Sequence, residues 1–412
     1  MLKNYLLMAW KVAQRRKLFT AINLACIVIT LVVLLVVAAL LQEAFYPTGV
    51  EHRSDRFLQV HLIEATNSRN NASSRSPLGY KAIDKYLKPI AGLEAVSAVS
   101  GIEPASVIKD GNIFEVQMRH ADAEYWRILD FKMVAGRVPS AEDVDQGRMV
   151  AVLAQPLAAR LFGSANPLGR KVEAGGQVFT VIGVVEQAMH LYAYADMWVP
   201  VTTYPSTQYR HQMTGNFFGL LLAHSADELP SIRQHVAQVS KGIRFSEPHE
   251  FDIVHMWADT KLDLVARTLT GSHELDSGSG KVLAIIAAVM LLFMLLPALN
   301  LVNLNMGRIL ERSTEIGVRK AFGASNTQLV LQLVLENVAL CIAGGMIALL
   351  CAQGVLLWLQ AYGPIPALQV SLNLPVFGWG LLLTVIFGVL SGVVPAWKMA
   401  RLDPVHALKG AA

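Results

Sequence analysis

The chain has 412 residues, of which 53% are hydrophobic and 16% charged, with a formal net charge of +4. That balance excludes an ordinary soluble domain, and the small charge, gathered at the flanks of apolar runs, excludes a nucleic-acid surface. The three cysteines, Cys26, Cys341 and Cys351, all fall inside apolar runs, so no disulfide framework can be read in the rest of the chain.

In chain order, residues 18–41, 281–306, 328–359 and 376–396 read as transmembrane helices. Each offers roughly 20 residues or more, enough to cross about 30 Å of hydrocarbon. The first run follows a basic lead, as in a signal peptide. It is too long for such a segment, however, and it continues into LLQEAFYP instead of a small-residue cleavage site, so it reads as a retained span. Lys11, Arg15, Arg16 and Lys17 precede the first span, Arg308, Arg312, Arg319 and Lys320 lie between the second and third, and Lys398, Arg401 and Lys409 follow the fourth. The stretch 360–375 has no lysine or arginine. The positive-inside rule then places residues 1–17, 307–327 and 397–412 in the cytoplasm, and residues 42–280 and the short loop 360–375 outside. The expected fold class is a four-span membrane protein of the cytoplasmic (inner) membrane. A large extracytoplasmic α+β domain is inserted between its first two spans.

Within 42–280, RFLQVHLIEA alternates as a half-buried strand, NSRNNASSRSP reads as a polar surface loop, and GYKAIDKYLKPIAG has helical spacing. NIFEVQMRHA is a strand. ADAEYWRILDFKMVAGRVPSAEDV suggests a short helix and a turn, and RMVAVLAQPLAARLFG a strand running into a helix closed by Gly163. RKVEAGGQVFTVIGVVE has the form of a hairpin around Gly175 and Gly176, DELPSIRQHVAQVS is an amphipathic helix, and HEFDIVHMW another strand. The mixture fits an α+β domain of two lobes. From Met256 to Gly280 the pattern turns helical and leads towards the second span as a stalk.

Chemistry-bearing patterns are sparse. SGSGKV at 277–282 lacks the spacing of a phosphate-binding loop, with Leu275 and Val282 where glycine and a hydroxyl are needed; it reads as a flexible link. His249, His255 and His273 lack metal-ligand spacing and read as surface histidines. No nucleophile elbow is present and no cysteine lies outside the spans, so an enzyme site is not expected. Glu336 lies deep in the third apolar run beside Gln332 and Asn337, and a carboxylate there must be paired, protonated or turned towards protein. Packing near the cytoplasmic end explains it better than a proton or substrate site. Gly344 and Gly345 in the third span, and Gly388 and Gly392 in the fourth, permit close helix approach.

Between the second and third spans, ERSTEIGVRKAFGAS reads as a short helix ended by Gly323. Glu315 and Arg319 are spaced to pair, and Ile316 and Phe322 offer apolar contact. A solvated positive loop needs only scattered lysines, whereas this mixture suits docking to a cytoplasmic protein.

These residues closely resemble the cytoplasmic motif of the FtsX/MacB-like ABC transporter permeases. LQLVLENVALCIAGGMIALL is similar to the family's third span, GVVPAWKMARLDPVHALKG to its carboxy-terminal signature, and DAEYWRILDFKMVAGR, VAVLAQPLAARLFGSANPLGRKV and FTVIGVV to its periplasmic core domain. The resemblance implies a non-catalytic transmembrane subunit that transmits ATP-driven movement to its periplasmic domain for export or efflux of a drug, peptide or lipoprotein. It implies a cytoplasmic P-loop ABC ATPase as partner, with ATP and magnesium held there and no cofactor on this chain. A second copy or a paralogue, surrounding lipid and a periplasmic adaptor are the further implied partners. Glu311, Arg312, Glu315, Ile316, Val318, Arg319, Lys320, Phe322 and Gly323 then form the coupling helix that docks the ATPase. Members that carry the ATPase on the same polypeptide place it ahead of the first span. Here 17 residues precede that span, so a separate subunit is expected. The alternative is a membrane sensor or accessory protein regulating a signalling partner or cell-wall hydrolase.

Overall fold

The computed structural model describes residues 17–46, 49–70, 72–109, 111–188, 190, 192–244, 251–311, 325–362 and 374–400. The chain divides into a helical unit, up to Gln42 and from Lys281 onward, and an outer unit, Glu43–Gly280. It begins with α1 (Lys17–Phe45), β1 (Phe57–Thr66), β2 (Ser73–Pro77) and α2 (Tyr80–Ala82), which widens into a π turn, Ile83–Leu87. Next come β3 (Leu93–Ser100), β4 (Glu103–Lys109), β5 (Asn112–Ala121), α3 (Ala123–Ile128), β6 (Met133–Gly136) and α4 (Ala141–Asp145). These are followed by β7 (Val150–Ala154), α5 (Gln155–Phe162), β8 (Lys171–Ala174), β9 (Gln177–Val185), β10 (Met197–Pro200) and β11 (Phe217–Ala223). The outer unit ends with α6 (Leu229–Lys241), β12 (Ile253–Asp259) and α7 (Lys261–Thr270), and the chain continues with α8 (Ser279–Glu311), α9 (Asn326–Tyr362) and α10 (Leu374–Ala400).

The outer unit has two lobes built on one continuous set of strand pairings. In the order β10-β7-β9-β8-β4-β5, the last strand also pairs with the first, through Met197–Pro200 against Met118–Ala121, so six strands close into a ring. Inside it pack Val107, Val116, Leu153, Phe179 and Val181, and α5 covers it with Leu157 and Leu161. The second lobe is the open sheet β3-β11-β1-β12, with α6 and the π turn against one face through Ile232, Val236, Ile83 and Leu87. β1, expected from its alternation to be half-buried, is covered on both faces over Phe57–Val60 and Ile63–Ala65, and β5 buries both faces from Met118 to Ala121. Gly175 and Gly176, at φ +57° and +76°, make the two-residue turn of the β8–β9 hairpin, which requires positive φ at both positions. Pro156 opens α5, where its missing N–H costs nothing, and Gly163 follows it at φ +60°.

Two expectations are corrected. The polar stretch 67–77 is not wholly loop, since Ser73–Pro77 pairs antiparallel with Leu62–Thr66. The stretch from Met256 to Gly280 is not one helical stalk. Met256–Asp259 completes β12, α7 starts at a Thr260 capping box, and α7 stops at Gly271, in the left-handed region at φ +65°. Residues 271–278 are non-helical. The helix α8 runs on through residues 307–311.

In the helical unit, Thr20–Phe45 and Val330–Tyr362 are long and apolar enough to cross a bilayer, with mean hydropathy 3.3 and 2.2. The apolar stretches Ser279–Leu295 and Leu374–Leu390 are shorter. Ile27 and Leu31 of α1 bury against Cys341 and Ala348 of α9, while Leu292, Leu350, Trp358 and Trp379 stay exposed.

Candidate functional site

The outer unit, Glu43–Gly280, begins where the chain leaves α1 and ends where it enters α8. The structure builds both ends from buried charge. In the last turn of α1, Glu43 lies 3.8 Å from the His190 imidazole. The turn Gly49–Glu51 then buries the Glu51 carboxylate completely. One Glu51 oxygen accepts from the Tyr192 backbone N–H at 2.9 Å, and the other faces the Lys261 ammonium at the start of α7. Departure and return are therefore joined by one ion pair away from water, where attraction is little screened.

Around the return point the charges form a chain. Arg267 makes a two-pronged contact with Asp259 at 2.8 and 3.0 Å, and its third nitrogen donates to the carbonyls of Ser272 and Glu274. The guanidinium thereby clips the non-helical segment after α7 to the end of β12. Asp263 accepts from Thr260 Oγ1 at 2.6 Å and Ser277 Oγ at 2.5 Å, and pairs with Arg233 of α6. Burial raises the Asp263 pKa, but the Ser277 and Thr260 hydrogen bonds and the Arg233 charge outweigh it and hold the carboxyl down at about 2. Thr270 Oγ1 donates to the Ser277 carbonyl at 3.0 Å, and Ser279 N–H, the first of α8, donates to Ser277 Oγ at 3.2 Å. The sequence around SGSGKV, read as a flexible link, is thus pinned. Ser277 is buried, and Gly278 holds φ +78° against Thr270, a conformation that favours glycine.

The histidines separate. His273 Nδ1 lies 2.9 Å from Glu64, which also accepts from Arg75, and His255 stacks on Trp257. His249 lies outside the described residues. Among the described residues no group of His, Cys, Asp and Glu could hold a metal ion.

In the helical unit, Gln332 Nε2 donates to Glu336 Oε1 at 3.2 Å, and both Glu336 and Asn337 are buried. Asn337 Nδ2 reaches the Gly388 carbonyl of α10 at 3.4 Å. A Cβ at Gly388 would sit 2.6 Å from Cys341 Sγ, at Gly344 2.7 Å from Ile27, and at Gly345 2.5 Å from Leu381. At these three glycines a side chain of a neighbouring helix occupies the space a Cβ would need. Gly392 lies in α10. Asn23 of α1, which the sequence reading did not single out, is also fully buried. Of the docking residues, Glu311 is the last of α8, and Arg312, Glu315, Ile316, Val318, Arg319, Lys320, Phe322 and Gly323 lie outside the described residues.

A large strand-rich unit set between apolar helices narrows the possible families, and comparison decides among them. Residues 20–239 match the MacB-like periplasmic core domain, and residues 287–404 match the FtsX-like permease C-terminal domain. The chain belongs to the MacB/FtsX-like family of ABC transporter permeases. Among its relatives in that family, the uncharacterized ABC transporter permease YknZ of Bacillus subtilis is 27% identical over 353 residues, 84% of this chain and 82% of YknZ. The macrolide export ATP-binding/permease protein MacB of Chromobacterium violaceum is 26% identical over 329 residues, 77% of this chain but 48% of MacB. The chain thus spans about half the length of that MacB relative. The solved extracellular domain of a YknZ from Gram-positive bacteria aligns at 19% identity and a TM-score of 0.37, covering 48% of this chain and 98% of that domain. As a member of this family of membrane-embedded permeases, the chain carries a periplasmic-type domain in its outer unit.

Proposed function

We propose that this permease couples ATP hydrolysis by a cytoplasmic P-loop ATPase to movement of its outer unit, and that this movement exports a substrate. The observation that carries the reading is the charge network at the base of the outer unit. Glu51 and Lys261 tie the outgoing and returning chain together, and Asp263 and Arg267 fix the segment that enters α8. A pinned joint passes on displacement, whereas a loose one would absorb it. Four membrane spans, cytoplasmic termini, a second copy of the chain and a periplasmic adaptor belong to the same proposal. So does a coupling helix from Glu311 to Gly323, with Arg319 and Phe322 as its polar and apolar contacts to the ATPase.

The test is to purify the tagged full-length chain from its native membranes in mild detergent, identify its partners by mass spectrometry and assay ATPase activity in the eluate. A stoichiometric P-loop ATPase is expected, and Arg319→Glu or Phe322→Asp should remove it. Asp263→Ala should keep the ATPase but lose the ATP-dependent change in protease protection of the outer unit. Undiminished ATPase binding by both docking variants would sink the coupling-helix assignment, and recovery of a signalling protein without any ATPase would favour the sensor alternative.

A further inference from the structure

A cleft of about 480 Å³ opens in the outer unit between β1, β2, the helical turns of α2 and the loop ahead of β11. Its volume is that of a small-molecule site. The pairing of β1 with β2 decides which side chains reach it. Ile63 stands opposite Ser76 and Ala65 opposite Ser74, and all four line the cleft. Glu64 and Arg75, one position out of phase, do not line it and pair with each other at 3.0 Å. The register thereby keeps the one carboxylate of this strand pair out of the cleft.

Among the described lining residues, Lys81, Lys85 and Arg244 carry charge, all of one sign. Lys81 and Lys85 lie four residues apart, on neighbouring turns of one helix face, and His211 and Arg244 arrive from two other segments. Among the described residues, none of these four forms an ion pair. The carboxylate nearest them in sequence, Asp84, is held by Lys88 at 3.4 Å. Asp252, beside the lining residue Phe251, accepts from the Ser68 backbone N–H at 2.8 Å. Arg244 is oriented by donating Nη1 to the carbonyls of Lys241 and Ile243, at 2.9 and 3.1 Å. The Tyr86 ring, 5.2 Å from the Lys85 ammonium, supplies a flat wall. An ordinary solvated face mixes both signs, whereas here the cations Lys81, Lys85 and Arg244 from two segments, with the His211 imidazole from a third, converge on a concavity lined by serine hydroxyls.

We propose that this cleft binds a small, multiply charged anion bearing phosphate groups, either free or as a headgroup. Two lysines a helical turn apart can bracket two phosphates, the guanidinium offers a fork of donors, and Ser74 and Ser76 complete the set. The assignment is independent of the transport reading.

The experiment is calorimetric titration of the full-length chain, in neutral detergent, with inorganic pyrophosphate and separately with a short-chain phosphatidic acid below its micellar concentration. At least one should bind, and the affinity should fall steeply as salt rises from about 0.05 to 0.3 M. Lys81→Gln with Lys85→Gln should weaken binding by about tenfold or more, as should Arg244→Gln alone, while Lys171→Gln, in β8 and outside the cleft lining, should not. Pyrophosphate binding identifies a free anion; binding of the lipid probe alone identifies a headgroup. Failure of both probes, or full affinity in the lysine double variant with an unchanged melting temperature, would overturn the proposal.

Discussion

At the base of the outer unit, Glu51, Asp259, Lys261, Asp263 and Arg267 are all 7% exposed or less, and each meets an opposite charge. In the six-stranded ring the interior is filled instead by Val107, Leu153, Phe179 and Val181. The two regions are equally dry but respond differently to change. Apolar packing scales with area and tolerates swaps of similar volume. A buried ion pair adds little over an apolar substitute, yet it penalises heavily the loss of one partner. The ring is therefore a scaffold that can drift in sequence, and the base is a device that admits one arrangement.

The largest effect that would sharpen this contrast is expected from Lys261→Met, which strands the Glu51 carboxylate and should cost about 3 to 5 kcal/mol, read as a lowered melting temperature of the full chain in detergent. Adding Glu51→Leu should recover much of that loss; a double variant no better than the single one would mean that the pair is not the reason. In the ring, Leu153→Ala should cost about 2 to 5 kcal/mol through transfer and cavity terms, with Leu153→Met close to neutral. A neutral Leu153→Ala would break the comparison from the other side.

Acid separates the regions further. His120, on β5 opposite Val199 of β10, is fully buried, and burial lowers its pKa to about 4 from an ordinary 6.5. Its folded-state value is depressed, so stability is greatest above pH 6.5 and falls as pH drops towards 4, by roughly 3 kcal/mol. His61, lowered to about 4 by burial and then by the Arg119 charge, acts in the same window. Asp263 is also depressed, from 3.8 to about 2, so its contribution persists above pH 4 and fades only below it. Melting temperature against pH should therefore drop first between 6.5 and 4, and His120→Phe should flatten that step. Smallest is Ser277→Ala, which removes one hydrogen bond to a carboxylate and should cost about 1 to 2 kcal/mol. Hydrogen exchange should show faster exchange at Gly278 and Ser279 with the ring unaffected.

Much of the fold could be read from local pattern. The β-rich runs of β1 and β5 stand out by residue type, α6 is amphipathic, and Gly175-Gly176 marks its turn without help from tertiary structure. β11, Phe217–Ala223, escaped because it is buried on both faces and shows no period of two. β2 escaped for the opposite reason, since SSRSP is polar, largely exposed and held by backbone pairing and the Arg75–Glu64 contact instead of an apolar face. The base was invisible because its partners are remote: Glu51 accepts from Tyr192 N–H, 141 residues on, and meets Lys261 further still. Gly344, Gly345 and Gly388 could be singled out because small side chains leave a local signature, whereas the polar residues of the cleft come from several separate segments.

Ring closure through β10 has a consequence for the order of assembly. Its parallel pairing with β5 joins residues some eighty positions apart, and β1 waits still longer for β11 and β12. Such long-range closure is slow, because the entropy of the intervening loop is lost before the contact forms. As the outer unit emerges, β5 and β7 each present an unpaired edge until Met197–Pro200 arrives between them. The nascent domain is thus most open to wrong pairing during the interval between delivery of residue 154 and delivery of residue 200.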